Sequence, residues 1–327
     1  MAFAFPAQAD HAALGIGIGN ASPISTETAI TMPQGRTTVG VRAQYIEFDE
    51  FSDSELARLR EEDAEADLHS VESLWQASGI VAHGITDDLT VGVQVPFIFR
   101  NNIREPEHGH EDDHDAGGEE PEIENLGDVE GIGDTTLFGQ YRFFHTEENT
   151  THASALFGVK MPTGKTSRRS GSGERLETEL QPGTGSWDGL MGLAFTHIFG
   201  PFSFDTSVLY SLVTDGAQDT DRGDILSYNA ALSYRAFGGA RTTYMPPTMS
   251  LDFILELNGE WRDKEETHGV VDGNSGGTLL YLSPGVRFLA GSNWNTAFSF
   301  GIPIVEGLNG DQSDPDFRVL GSMNFNF

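Results

Sequence analysis

The sequence predicts an all-β fold, a transmembrane up-and-down antiparallel β-barrel of about 12 strands, and three patterns carry that reading. Apolar and polar residues alternate one by one over stretches of strand length. The connections between those stretches alternate between short and long. Most of the net charge sits in the long ones.

Alternation is clearest at the carboxyl end, where Phe317, Val319, Gly321, Met323, Phe325 and Phe327 interleave with Arg318, Leu320, Ser322, Asn324 and Asn326. A side-chain period of two marks a strand with one greasy and one mostly polar face. The same pattern sets Leu251, Phe253, Leu255, Leu257 and Trp261 against Asp252, Ile254, Glu256, Asn258, Glu260 and Arg262, and it recurs over 202–210. Followed along the chain, it places strands beginning near residues 36, 74, 89, 132, 152, 187, 201, 224, 249, 278, 294 and 316.

Short connections fall at 86–88, 146–150, 200–201, 238–247 and 291–293, and long polar ones at roughly 49–73, 101–131, 163–188, 213–224, 263–276 and 306–316. The long set holds 38 of the 50 Asp and Glu but only 9 of the 19 Lys and Arg, so it supplies 29 of the net 31 negative charges. An even-stranded up-and-down barrel puts alternate turns at opposite ends, with short periplasmic turns and long extracellular loops. A soluble sandwich or propeller also has short alternating strands, but nothing in it sorts loops by end. Composition narrows the field further. No run of about 18 apolar residues exists to form a spanning helix, whereas a barrel strand needs only about 9–11 residues. The absence of Cys removes disulfide scaffolds and thiolate metal sites. A sequence pI near 4.4 argues against nucleic acid, where affinity rests on Lys and Arg neutralising phosphates.

In a bilayer the apolar face must turn outward, because hydrocarbon offers polar side chains no hydrogen-bond partner. The opposite face then gathers Arg42, Arg142, Lys160, Arg235, Glu256, Glu260, Arg262, Arg287 and Arg318 into a charged lumen expected to select what passes. Tyr45, Trp75, Tyr141, Tyr234 and Trp261 fall near strand ends, where interfacial aromatic girdles sit. Residues 1–9 read as the residual end of a secretory signal peptide, with Ala7 and Ala9 before a cut at Asp10. Residues 10–35 form an irregular lead-in that either hangs in the periplasm or folds back into the pore as a plug, and 36–327 form the barrel. The stretch 53–68, with Leu56 and Leu59, fits a short helix over the mouth.

One ligand cluster stands out. His108, His110 and His114, with Asp112 and Asp115, lie in the longest acidic connection and offer imidazole nitrogen and carboxylate oxygen to a divalent metal. A solvated acidic tract is the competing reading. No cofactor is expected beyond divalent cations at these acidic loops. Catalysis is not expected either. His83, His145, His152 and His197 lie at turn-side strand ends with no Gly-x-Ser-x-Gly setting, and Thr163-Gly164-Lys165-Thr166 lacks the upstream glycine of a phosphate loop.

Several runs also carry a family resemblance. Gly-Ile-Gly-Asp at 131–134, Gly-Val-Lys-Met-Pro-Thr-Gly at 158–164, Gln-Pro-Gly-Thr-Gly at 181–185 and the aromatic carboxyl terminus resemble the outer-membrane transporter family labelled "putative MetA-pathway of phenol degradation", a relative of the long-chain fatty-acid channel group. The resemblance covers most of 36–327. It implies an outer-membrane channel of a Gram-negative bacterium for passive uptake of small substrates, with apolar or aromatic compounds as the leading class. Met323, Phe325 and Phe327 resemble the assembly signal read by the barrel-insertion machinery. The partners implied are that machinery, outer-membrane lipid and lipopolysaccharide, and a small-molecule substrate, with no nucleic acid. The alternative is divalent-metal capture, or a surface structural role, through the His/Asp/Glu-rich loop.

Overall fold

The computed structural model describes residues 23–62, 68–106, 122–238, 249–291 and 293–327. The barrel strands are β1 (Thr37–Phe48), β2 (Ser73–Thr86), β3 (Leu89–Pro106), β4 in two pieces (Ile123–Ile132 and Thr135–His145), β5 (Thr151–Met161), β6 (Asp188–Phe199), β7 (Phe202–Leu212), β8 (Ile225–Phe237), β9 (Ser250–Arg262), β10 (Gly277–Ala290), β11 (Trp294–Leu308) and β12 (Pro315–Asn326). Each pairs antiparallel with its neighbours in chain order, and β1 pairs with β12 from Thr38↔Asn326 to Phe48↔Pro315, which closes the sheet. Closure leaves no sheet edge, so backbone donors and acceptors find partners in the ladder, as hydrocarbon requires. The seam ends in a reciprocal pair: Phe327 N donates to Thr37 O at 2.9 Å and Thr37 N to Phe327 O at 3.2 Å.

Burial follows the period-two pattern. On β9, Asp252, Ile254, Glu256 and Asn258 are buried while Phe253, Leu255 and Leu257 are exposed. The outer faces of the other strands continue a girdle of exposed Leu, Val, Phe and Met, which is the surface that meets lipid. Aromatic side chains border it. Tyr45 packs on Trp75 with ring centroids 4.6 Å apart at the long-loop end, and Phe202 on Tyr234 at 5.2 Å at the short-turn end.

Two expectations are corrected. The fourth strand begins at Ile123, well before residue 132, and the connection read as a loop over 101–131 contains strand on both sides, because β3 runs on to Pro106 and pairs with Ile123–Gly127. Alternation fails there for a physical reason. Asn102 and Gly127 take positive φ at 51° and 80°, the register shifts beside Ile103, and a hairpin beyond the membrane needs no greasy outer face. The helix, α1 (Asp53–Glu62), forms within the stretch expected, opened by a capping box in which Ser52 Oγ meets Glu55 N while Ser52 N donates to Glu55 Oε2 at 2.9 Å. Its buried Leu56 and Leu59 pack with Leu68.

Candidate functional site

The interior of the barrel is occupied. Residues 23–34 run along the inner wall instead of lying outside, and they touch strand after strand in reverse chain order. At β9 the Glu256 carboxylate accepts three consecutive backbone N–H groups: Ile24 N at 3.1 Å, Ser25 N at 3.0 Å and Thr26 N at 2.9 Å. Glu27 N then donates to Ser207 Oγ on β7 at 3.3 Å, and Ala29 N to Thr196 Oγ1 on β6 at 2.8 Å. Ser154 of β5 donates to Ala29 O at 2.6 Å, and Gln140 of β4 to Thr28 O at 2.7 Å. Met32 N reaches Thr90 Oγ1 on β3 at 2.9 Å, and Gly35 N closes the run on Gly84 O at 2.8 Å. No sequence period could reveal this segment, because its backbone is satisfied by side chains and not by a ladder.

A buried carboxylate that takes three N–H groups is held by charge-assisted hydrogen bonds, stronger than neutral ones. Arg42 of β1 shares the neighbourhood, interacting with Glu27 and Glu256 and donating to Ser25 Oγ at 3.3 Å. Beside it Arg318 of β12 lies 4.1 Å over the Tyr281 ring and bonds to Asn258 Oδ1.

Between these polar contacts the inner wall carries an apolar patch. Ala29 and Met32 pack against Ile80, Ala82, Phe138, Leu156, Leu190, Ala194 and Leu209, all buried and all on the inner face. The polar, charge-laced lumen read from sequence is thus interrupted by an apolar patch on β2 and β4 to β7, and by Ile254, Ala297 and Leu320 around Ile24, where the inner face packs on chain rather than water. The apolar residues at these inward positions were the available signal.

The other charged residues named from sequence take distinct places. Asp252 bridges Arg235, with Nε to Oδ1 at 2.9 Å and Nη2 to Oδ2 at 3.1 Å, and Arg287, with Nη2 to Oδ2 at 2.8 Å. Arg142 sits at the short-turn mouth on Asp88, 2.9 Å from Nε to Oδ1. Lys160 pairs with Asp188 and stands 3.7 Å from Asp134 Oδ2, and Arg262 pairs with Glu260 at 3.1 Å. These last line a cavity of about 120 Å³ in the long-loop half, shared with Arg100 and Arg222. That is room for several waters and too little for a drug-sized molecule.

The roof of that cavity is the connection 163–187, which folds inward. Asp134, at the break in β4, pins both its ends: Oδ1 accepts Gly164 N at 2.8 Å, and Oδ2 accepts Thr184 N at 2.8 Å and Thr184 Oγ1 at 2.7 Å. Gly164 and Gly183 cross so closely that a Cβ on Gly183 would lie 2.6 Å from Gly164 Cα. Leu176 and Leu180 then pack with Ile46, Leu74, Ile103 and Val129. Next to them His69, Glu177 and Glu179 come together with Glu105. Burial, reinforced by the charge of Glu265 and opposed by His69, pushes the Glu179 carboxyl up to about 8. The sequence reading missed this cluster, whose members come from two separate connections and the far end of β3. His108, His110, His114, Asp112 and Asp115 lie outside the described residues. Met323, Phe325 and Phe327 are exposed on the outer face at the seam.

Comparison with known proteins places this architecture. A family model described as "Putative MetA-pathway of phenol degradation" matches residues 109–305. Among solved structures, an outer membrane channel from Pseudomonas putida F1 superimposes with a TM-score of 0.59 at 18% identity, covering 93% of this chain and 100% of that one. The NanC porin gives 0.47 at 6% identity over 88% of this chain and 98% of its own, and the CymD monoaromatic hydrocarbon channel 0.42 at 10% over 96% and 98%. No curated protein matches the sequence.

Proposed function

The chain belongs to the family described as "Putative MetA-pathway of phenol degradation", and from that membership and the closed barrel we propose that it is an outer-membrane channel for passive uptake of small apolar or aromatic compounds. The observation that carries the reading is the apolar patch on the inner wall, covered by Ala29 and Met32 of a segment that makes no strand ladder. A segment held by side chains can leave without breaking the barrel, and its departure uncovers a surface of the same chemistry as an aromatic cargo. Transport by this route needs no nucleophile or general base. Diffusion down a gradient drives it, with the long loops outside the cell and the short turns in the periplasm.

Glu256 is then the latch. Replacing its charge weakens three hydrogen bonds at once, each worth about 1.5–3 kcal/mol when the acceptor is ionised. Glu256→Gln is expected to raise the open probability in planar bilayers by about tenfold or more, since 1.4 kcal/mol is a factor of ten. Deletion of 23–34 should open the channel permanently and speed entry of a monoaromatic compound into proteoliposomes. Unchanged conductance and unchanged aromatic flux in the deletion variant would refute the reading.

A further inference from the structure

The long connections are acidic as a set, yet one of them carries a basic group that passive transport leaves unused. We propose that Lys165, Arg168, Arg169 and Arg175, on the connection 163–187, dock the phosphate groups of outer-leaflet lipid and so fasten the roof of the pore to the membrane around it. They are four of the nine Lys and Arg in the long connections. Of the others, Arg58, Arg104 and Arg222 each pair with a carboxylate. Among the described residues none of the four is ion-paired, although the chain holds 50 Asp and Glu. Their bonds go to backbone instead. Arg168 Nε donates to Glu130 O at 2.7 Å, Arg169 Nη1 to Gly173 O at 2.6 Å and Arg175 Nη2 to Thr166 O at 2.6 Å. A carbonyl fixes the direction of a guanidinium but leaves its charge whole and other N–H donors unused. Arg169 and Arg175 also bridge as an antiparallel pair, so two like charges stand opposite each other, an arrangement that an anion relieves. The neck of this small hairpin is held from below. Buried Gln181 accepts Arg168 N at 2.8 Å and donates to Arg168 O at 3.0 Å and Leu176 O at 2.7 Å. Arginines positioned before a ligand arrives lose less freedom on binding it, and each planar fork matches two phosphate oxygens.

Depth and position favour lipid as the source of the phosphate. The connection leaves the wall beside Ile132, where Lys165 N donates to Ile132 O at 3.0 Å, and returns to it at Trp187. Ile132 and Trp187 are 54% and 57% exposed, and Trp marks the level where hydrocarbon gives way to headgroups. Lys165 and Arg168 both bond to carbonyls of β4, so the hairpin stands on the rim of the barrel at that level. Lys165, Arg169 and Arg175 are exposed there. Elsewhere the long connections, with 29 net negative charges, repel an anionic headgroup. Between 165 and 175 the four bases face Glu174 alone, so attraction is confined to this stretch. The docking rests on the long loops facing out of the cell, as in the proposed function, and on nothing about cargo.

The test uses the folded full-length barrel in non-ionic detergent with a chelator, so that no divalent cation can bridge lipid phosphate to the acidic loops. Native mass spectrometry should show bis-phosphorylated lipid A retained about tenfold or more tightly than its dephosphorylated form. Lys165→Gln, Arg169→Gln and Arg175→Gln combined, at three exposed positions that spare the fold, should remove that preference and leave retention of phosphatidylcholine unchanged. Lipid A should slow protease cleavage within 163–187 in the wild type and not in the triple variant, while the two cleave alike without lipid. Equal lipid A retention by the triple variant, retention lost in chelator, or inorganic phosphate displacing lipid A when the two are equimolar would each overturn the proposal. A triple variant that keeps lipid A but slows uptake of an aromatic carboxylate would overturn it too, and move the basic group from lipid to cargo. Conductance is no part of the lipid readout, so a failure there leaves the uptake reading standing.

Discussion

Two inward carboxylates on one strand do different work, and their partners decide which. Glu256 accepts backbone N–H groups of a segment, so its loss loosens one end of the segment. Asp252, four residues earlier and equally buried, accepts two guanidinium groups. Removing it takes the shared carboxylate from Arg235 and Arg287, and breaking a buried pair by deleting one partner costs about 3–5 kcal/mol. Asp252→Ala should therefore lower the unfolding free energy obtained from urea titration of the folded barrel in vesicles by an amount in that range, with the segment still seated. A loss under about 1 kcal/mol would show that lumen water screens these charges. Both carboxylates were visible in the sequence as inward charges on a period-two strand. Their division of labour was not, because it depends on which chain lies opposite.

At the scale of elements, the connection 163–187 behaves as a lid hung on one hinge residue. Asp134→Ala removes the acceptors for both of its ends, and Gly183→Ala forces its crossing strands apart. Each is expected to raise protease cleavage in 163–187 by about tenfold or more while the barrel resists heat as before, since the three bonds to one carboxylate are worth more than 1.4 kcal/mol together. Equal cleavage in Asp134→Ala would place the anchor elsewhere. The strands were legible because lipid imposes a strict outer face: β1, β7, β9 and β12 begin within a residue of where alternation placed them. β4 was misplaced where that constraint ends, beyond the bilayer. The lid and its His69 cluster were illegible for a related reason. Their contacts join residues from 30 to 110 positions apart with no repeating spacing, and only the closed wall brings them together.

For the whole molecule, the twelve-strand cylinder turns a linear charge pattern into an axial one, because the long stretches of sequence that carry 38 of the 50 acids all join strand ends on the same side. The two ends therefore face very different costs on entering a bilayer. A charged side chain at the hydrocarbon centre costs several kcal/mol, and the long-loop end would have to drag many across together, whereas a short turn such as Asp87–Asp88 carries few. Insertion into a preformed planar membrane should consequently be vectorial, with the turns leading and the loops left on the side of addition. Successive insertions should then rectify with one common polarity, and reversing the side of addition should invert it. Current–voltage curves of random sign from one insertion to the next would show that the loops cross freely. A surplus of acid that looks like a property of composition thus gives every reconstituted molecule a fixed sense of direction.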